Sequence, residues 1–373
     1  MKTLKDFNFK GKTVLLRTDI NSDVKNKSVL MSERIKESAK TISYLKDKKA
    51  RVVVIAHQGR PGKDDFVSLE PHARFLNNFT KIKFVNEVMG DKAGKAIKNL
   101  KAGEAILLEN IRFEEDEFNP EKKDNKLLRL TKLCDLYVND AFSVCHRKES
   151  SIVLFPRYMK SCAGLLLEKE VNALKKIKVG DCLYVLGGAK PEDNIKLLKG
   201  NKVLACGLFG QCCLINKGKD LGFQNKYLEK EKALIEISKD RLKNVETPVD
   251  FALKINNKRV EKDLNEFPNE NEIFDIGTET IKRYTDEIKN AKAIYMKGPA
   301  GDANEKGFEK GTFAILKAIA ESKAYSVIGG GHLSDAIEAS HINKNKFGHI
   351  SLSGGALLNY IAGEKLPGLE VLG

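Results

Sequence analysis

Short apolar runs alternate along this chain with amphipathic stretches of about ten residues. Val14–Leu16, Val52–Ala56, Ala105–Leu108 and Leu136–Val138 read as buried strands of the first half. Cys182–Leu186, Val203–Cys206, Val249–Leu253, Ala293–Met296 and Ser326–Ile328 read the same way in the second. Between them, Ile35, Ala39, Ile42 and Leu45 share one helical face, with Ser32 standing where an N-cap belongs. Phe313, Leu316 and Ala320 repeat helical spacing, and Leu165–Lys178 reads as a helix between the two halves. Strand and helix in alternation predict parallel sheets covered on both faces. Such sheets bind ligands beyond the carboxyl ends of their strands.

A chain of 373 residues is too long for one ordinary core, so two lobes are expected. The first spans 1–164 and the second 179–359, with 165–178 as the connecting helix. No apolar run approaches the roughly 18 residues of a membrane span. The N-terminus carries charges but no apolar signal core. Seven cysteines (134, 145, 162, 182, 206, 212 and 213) are scattered with no CxxC pair, which suits reduced thiols in a cytoplasm. Net charge is +14, mostly lysine spread over the whole length. With no basic tail and no zinc-finger, RRM or homeodomain pattern, this reads as a solvated lysine-rich surface. Neither nucleic acid nor a membrane is an expected partner.

Arginine and glycine divide the chain between them. Nine of the twelve arginines lie in the first 157 residues, and every paired glycine lies in the second half. Arginine forks grip phosphate and carboxylate; glycine turns at strand ends let a backbone approach a nucleotide phosphate. This division predicts two half-sites, one for a small polyanion and one for a nucleotide.

In the first half, the strand ends deliver Arg17-Thr-Asp19-Ile-Asn21, His57-Gln58-Gly59-Arg60, Arg112 and His146-Arg147, while Arg34 opens the first long helix. The cations suit a phosphorylated small acid. Asp19 and Asn21 would take its hydroxyl hydrogens, which arginine cannot do. Each arginine alone could instead be half of a structural ion pair, and Arg17 could serve only to pin the Asp19 loop. His72 and His341 lack such context and are expected on the surface. In the second half, Gly187-Gly188-Ala-Lys190-Pro191 is strand, glycine turn and helix start, with Pro191 suited to the first helical position. Gly329-Gly330-Gly331-His332 repeats the layout, and Gly298-Pro299-Ala-Gly301 is a third strand-end turn. Each cluster could also be only a tight connection. No Walker A or strict GxGxxG sequence occurs, and Gly90-Asp-Lys-Ala-Gly94 has the wrong spacing.

Taken in order, these segments resemble phosphoglycerate kinases along nearly the whole chain. The match runs through Asp19-Ile-Asn21, Arg34-Ile, Ala56-His-Gln-Gly-Arg-Pro61, Leu108-Glu-Asn-Ile-Arg112-Phe, Tyr137-Val-Asn-Asp-Ala-Phe142 and His146-Arg147. It continues through Gly164–Glu170, Gly187-Gly-Ala-Lys190, Pro248-Val-Asp-Phe251, Gly298-Pro299, Gly311-Thr312, Gly329–Gly331, His349-Ile-Ser351 and Leu366-Pro-Gly368. The GGAKPED and GGGH forms look similar to those of archaeal members of the family.

The resemblance implies an α/β protein with two Rossmann-like lobes that close about a hinge, the C-terminal segment 360–373 completing the first lobe. It implies reversible phosphoryl transfer between 1,3-bisphosphoglycerate and ADP, giving 3-phosphoglycerate and ATP, in a cytoplasmic monomer. By carry-over, Asp19, Asn21, Arg34, His57, Gln58, Gly59, Arg60, Arg112 and Arg147 bind the acid. Gly187, Gly188, Lys190, Asn304, Gly329, Gly330, Gly331 and His332 bind the nucleotide. Arg34 and Lys190 stabilise the phosphoryl group in flight. Mg²⁺ enters as Mg-ATP or Mg-ADP, held by the nucleotide phosphates and water, with no protein ligand assigned.

The departures lie on the nucleotide side. Asn194 replaces a common second Lys, Lys297 a common Asn, Asn304 a ribose-gripping Glu, His332 an Asp, and Leu352-Ser353 a Thr-Gly. Lys297 could supply the cation missing at Asn194. Two other readings stay open: a small-acid kinase with altered nucleotide preference, and a non-catalytic basic binding relative.

Overall fold

The computed structural model describes residues 1–372. It divides into two compact units, Met1–Asn172 together with the segment from Gly363 onward, and Ala173–Ala362. The division falls inside a helix, Leu165–Leu174, which ends one turn before the expected Lys178.

The first unit is built on six parallel strands: β1 (Thr13–Arg17), β2 (Arg51–Ile55), β3 (Lys83–Val85), β4 (Ala105–Leu108), β5 (Leu136–Asn139) and β6 (Ser161–Ala163), in spatial order β3-β4-β2-β1-β5-β6. The strands β1, β4 and β5 are buried along their whole length, as a sheet covered on both faces requires. The helix α1 (Glu33–Asp47) lays Ile35, Ala39, Ile42 and Leu45 onto this core. Ser32 stands at its N-cap position, but its hydroxyl bonds the Ser22 hydroxyl at 2.7 Å rather than capping the helix. The C-terminal segment belongs to this unit's packing. The Gly368 N–H donates to the Cys145 carbonyl at 2.9 Å, and Val371 packs on Ala141, Val144, Ile152 and Val153.

The connecting helix α2 (Leu165–Leu174) starts where Asp140, at the end of β5, accepts the Leu166 and Leu167 N–H groups at 2.8 and 3.2 Å. A side chain at Gly164 would run into that carboxylate, at 2.3 Å from Oδ1. The strand that carries the Asn-Asp-Ala-Phe segment is thereby tied to the helix that leaves the unit.

The second unit has six more parallel strands: β7 (Cys182–Leu186), β8 (Val203–Ala205), β9 (Val245–Glu246), β13 (Ala293–Lys297), β14 (Tyr325–Gly329) and β15 (His349–Ser351), in order β9-β8-β7-β13-β14-β15. Between β9 and β13 the chain leaves the sheet for an antiparallel ribbon, β11-β10-β12, of β10 (Asp250–Ile255), β11 (Lys258–Asp263) and β12 (Ile273–Ile276). The run Val249–Leu253 therefore lies in the ribbon and not in the parallel sheet as its apolar character predicted. Asn256 and Asn257, both at positive φ (50° and 58°), form a two-residue turn that sends the strand back beside itself.

Both parallel sheets reverse their winding at one place. In the first unit β1 is flanked by β2 and β5; in the second β7 is flanked by β8 and β13. The crevice past the carboxyl ends at such a reversal is where open α/β sheets take ligands. Among the described residues no helix is long and apolar enough to cross a membrane. All seven cysteines are free and buried.

Candidate active site

At the first reversal the register sets Arg17 opposite both Ile55 and Asn139, so the loops after β1, β2 and β5 leave side by side. One hydrogen-bonded chain then links most of the predicted acid-binding residues. The buried Asp19 carboxylate accepts from Arg34 Nη1 at 3.0 Å, from the Ser143 hydroxyl and from the Asn21 N–H at 3.1 Å. Burial alone would raise the Asp19 pKa. Arg34 and the hydrogen bonds from Ser143 and Asn21 outweigh it and hold the carboxyl well below the usual range. Asn21 Oδ1 accepts the Gly59 N–H at 2.8 Å, and the Gly59 carbonyl accepts from Arg112 Nη1 at 2.5 Å. Gly59 has φ +66°, and a Cβ there would sit 2.2 Å from the Asp65 carbonyl, so only glycine closes this loop.

Arg112 then reaches Glu149, a residue that the sequence pattern did not single out. Glu149 Oε1 accepts from Arg112 Nη2 at 2.5 Å and from Arg147 Nη1 at 3.3 Å, and Oε2 lies 3.8 Å from Arg17 Nη2. Arg17 is fully buried, donating to the Ser151 hydroxyl at 2.8 Å and lying 3.2 Å from His57 Nδ1. It does more than pin a loop, because it fixes the His57 tautomer. A guanidinium can only donate, so Nδ1 accepts and the ring hydrogen is on Nε2. Burial, and then Arg17 itself, push the His57 pKa well below its ordinary value, so the ring is neutral.

Two residues stand differently from expectation. The Gln58 side chain is saturated: Oε1 accepts from the Ser22 N–H (2.9 Å) and His72 Nε2 (3.0 Å), and Nε2 donates to the Ser22 and Asp65 carbonyls. It braces the loop rather than offering polar atoms to a ligand. His72, expected on the surface, is fully buried as Gln58's partner, and burial pushes its pKa down to about 4. His341 is exposed as expected. Arg60 is exposed and joins this network only through its backbone, whose N–H meets Asp65 Oδ1 at 3.4 Å.

At the second reversal, Leu186 and Lys297 are paired in register, so the Gly187-Gly188 and Gly298-Pro299 turns start side by side. The Gly187 N–H donates to the Lys297 carbonyl and the Gly188 N–H to the Pro299 carbonyl, both at 2.8 Å. A Cβ on Gly187 would stand 2.2 Å from the Pro299 carbonyl oxygen, and one on Gly298 2.5 Å from the Gly187 oxygen. These glycines let the two turns touch each other. The helix α3 (Pro191–Ile195) is a single turn with Pro191 in its first positions, and Lys190 is its exposed N-cap residue. Among the described residues no carboxylate pairs with Lys190. The buried Asn194 donates to the Gly187 carbonyl at 3.0 Å, while Lys297 Nζ lies 3.3 Å from both Asn194 Oδ1 and Asp193 Oδ2.

Beside these turns lies a cavity of about 440 Å³. Gly188, Pro299, Asn304 and His332 line it, together with Tyr227, Gln211 and Asp335. Gly330, at φ +109°, starts the helix α4 (Gly331–Ala339) that carries His332 and Asp335 to its wall. Asn304 is exposed there, and the next residue, Glu305, is tied to Lys254 Nζ at 2.8 Å. Gly187, Lys190, Gly329, Gly330 and Gly331 are not on the cavity wall itself. Among the described residues no cluster of His, Cys, Asp and Glu has the form of a metal centre.

Comparison with known proteins agrees over the full length. The phosphoglycerate kinase family model matches residues 4–364. A phosphoglycerate kinase of Methanopyrus kandleri is 40% identical, covering 100% of this chain and 97% of its own, and that of Methanothermus fervidus is 39% identical over 99% and 96%. The crystal structure of phosphoglycerate kinase from Pyrococcus horikoshii has a TM-score of 0.90 at 36% identity, covering 100% of this chain and 98% of its own. The Coxiella burnetii structure has 0.79 at 29%, over 99% and 98%. An arginine network at one sheet reversal, a glycine-built cavity at the other and this match from end to end have one common explanation: the chain belongs to the phosphoglycerate kinase family and carries that family's kinase function.

Proposed function

We propose that the arginine network of the first unit holds 3-phosphoglycerate or 1,3-bisphosphoglycerate, and that the cavity of the second holds ADP or ATP. In the forward direction a terminal oxygen of ADP attacks the acyl phosphorus. The bond from phosphorus to the carboxyl oxygen breaks, and the carboxylate of 3-phosphoglycerate leaves with the electron pair. The acceptor in the reverse direction is therefore a carboxyl group. A carboxylate is a good leaving group, so the protein needs no strong general base. Its work is to position both ends and to stabilise charge on the transferring oxygens.

Arg34 and Lys190 take that second role. Arg112 and Arg147 supply cationic forks for the distal phosphate, and Arg60 a further exposed cation. Neutral His57 offers Nε2–H to an oxygen of the acid. Asp19, kept ionised, and Asn21 receive hydroxyl hydrogens and set the direction of Arg34. The observation that carries this reading is the single network from Arg34 through Asp19, Asn21, Gly59 and Arg112 to Arg147.

Asp302 and Asp335 on the cavity wall are oxygen donors of the kind Mg²⁺ accepts, whereas His332 is not. The donor set fits an ion that would arrive on the nucleotide phosphates, which Asp335 would help to hold and which would supply neutralisation of phosphate charge.

The test is direct. Purified protein is mixed with 3-phosphoglycerate, Mg²⁺ and ATP or GTP, and phosphoryl transfer is followed. Turnover is expected; folded protein with no turnover on any nucleotide would reject the assignment.

A further inference from the structure

The guanidinium groups assigned to the distal phosphate already hold an anion. Glu149 puts one oxygen between Arg112 and Arg147 and turns the other toward Arg17, 3.8 Å away. Its side chain is 7% exposed, and Oε2 is buried without a hydrogen-bond donor. A carboxylate kept only to brace an arginine would be expected to use both oxygens in a parallel fork. This one shares a single oxygen between two arginines and leaves the other short of partners. It occupies the centre of the cationic cluster as a small phosphate would, but with fewer oxygens and less charge.

We propose that Glu149 is a built-in occupant of the phosphate position, holding Arg112 and Arg147 in place until the substrate phosphate takes them and thereby lowering the affinity of the site for anions. The inference rests on the reading of this cluster as the phosphoglycerate site. Three arginines face Glu149, and the neighbouring carboxylate Glu117 is bonded to Ser151 rather than to an arginine. The cluster thus keeps an excess of positive charge even with Glu149 in place. A phosphate dianion brings more charge and more acceptor oxygens to Arg112 and Arg147 than one carboxylate oxygen can. What Glu149 must give up is its hydrogen bonds through Oε1, while Oε2 makes none and keeps only the longer ion pair to Arg17. A site filled by its own carboxylate also spares the empty protein two uncompensated buried cations, Arg17 and Arg112, beside the half-buried Arg147.

The proposal makes a prediction opposite in sign to that of a purely structural ion pair. Glu149→Gln keeps the volume and removes the charge. It should bind inorganic phosphate about tenfold more tightly than the natural protein by titration calorimetry, a change of about 1.4 kcal/mol. The KM for 3-phosphoglycerate should fall by a similar factor. Melting in phosphate-free buffer should drop, and added phosphate should raise it more steeply than in the natural protein. Equal or weaker phosphate binding by a folded Glu149→Gln protein would overturn the proposal. If that variant does not fold, the natural protein crystallised with phosphate decides. Arg112 and Arg147 should then bond the phosphate with Glu149 Oε1 withdrawn; phosphate bound beside an unbroken Arg112–Glu149 pair would overturn it. A natural protein that neither turns over 3-phosphoglycerate nor binds phosphate would remove the underlying site assignment as well.

Discussion

Glu117 gives the first unit a pH dependence that can be worked out in advance. Its carboxyl is fully buried and accepts the Ser151 N–H at 2.8 Å and the Ser151 hydroxyl at 2.5 Å. Burial pushes its pKa up to about 7; Arg17 pulls the other way, and neighbouring Glu149 adds to the rise. The unfolded chain titrates this residue near its ordinary value, about 4.5. Between those two values the folded state holds a proton that the unfolded state has lost. The unfolding free energy must therefore fall as pH rises from about 4.5 to about 7, and then level off. At about 1.4 kcal/mol per pH unit, the gap sets a ceiling of about 3 kcal/mol.

Glu117→Gln preserves the shape and an acceptor for the Ser151 hydroxyl but carries no titrating proton. Urea unfolding from pH 5 to 8.5 is compared for the two proteins, following hydrogen exchange at the sheet amides of this unit so that the second unit does not blur the transition. Asp140, pushed up to about 7, and Asp275, pushed up to about 6, both by burial first, contribute slopes of the same sign to both proteins. The difference between the profiles isolates Glu117. The natural protein should lose about 2–3 kcal/mol more than the variant over this range. Parallel profiles would refute the reasoning, since a carboxyl that ionises normally in the fold contributes no slope there.

Three other expectations rest on named contacts. Lys297→Ala removes the cation beside Asp193 and Asn194 and should weaken ADP binding by about tenfold in calorimetry; unchanged affinity would show that Lys297 does not serve the nucleotide. Gly187→Ala drives a methyl toward the Pro299 carbonyl at 2.2 Å, so the paired turns must separate. Stability should fall by about 1–3 kcal/mol with a higher KM for the nucleotide, and a variant with natural stability would contradict the contact. Gln58→Ala strands Ser22 and His72. It should cost about 2–3 kcal/mol in urea unfolding and raise the KM for the acid only through the displaced loop.

Much of the fold and of the arginine-rich rim of the first unit was legible in the residues themselves. The strand ends could be read because fully buried parallel strands are nearly pure apolar runs, and the loop after each run is the one that meets the ligand. Asp19, Asn21, His57 and Arg112 emerged that way, and Arg34 as the residue that opens the first long helix. Glu149 did not. An acid two residues after Arg147 looks like any charge in the polar stretch His146–Glu149, and only the fold brings Arg112 and Arg17 to it. His72 was misplaced for a related reason. A single histidine on a short helix carries no periodic signal, and its burial depends on Gln58, whose partners lie elsewhere in the chain. The glycine turns were read as openings for a phosphate or as tight connections, and the contacts of Gly187 and Gly298 with each other's turns are of the second kind. The antiparallel ribbon was hidden because Val249–Leu253 is as apolar as a parallel strand. The Asn256-Asn257 pair was the overlooked sign of a hairpin.

The central claim is that Arg34 and Lys190 act on the phosphoryl group in transit and not merely on bound substrates. Steady-state kinetics of Arg34→Ala and Lys190→Ala, with 3-phosphoglycerate and Mg-ATP each varied, tests it most directly. The account predicts that kcat falls by about a thousandfold in each variant while KM changes far less. A rise in KM with kcat preserved would contradict it.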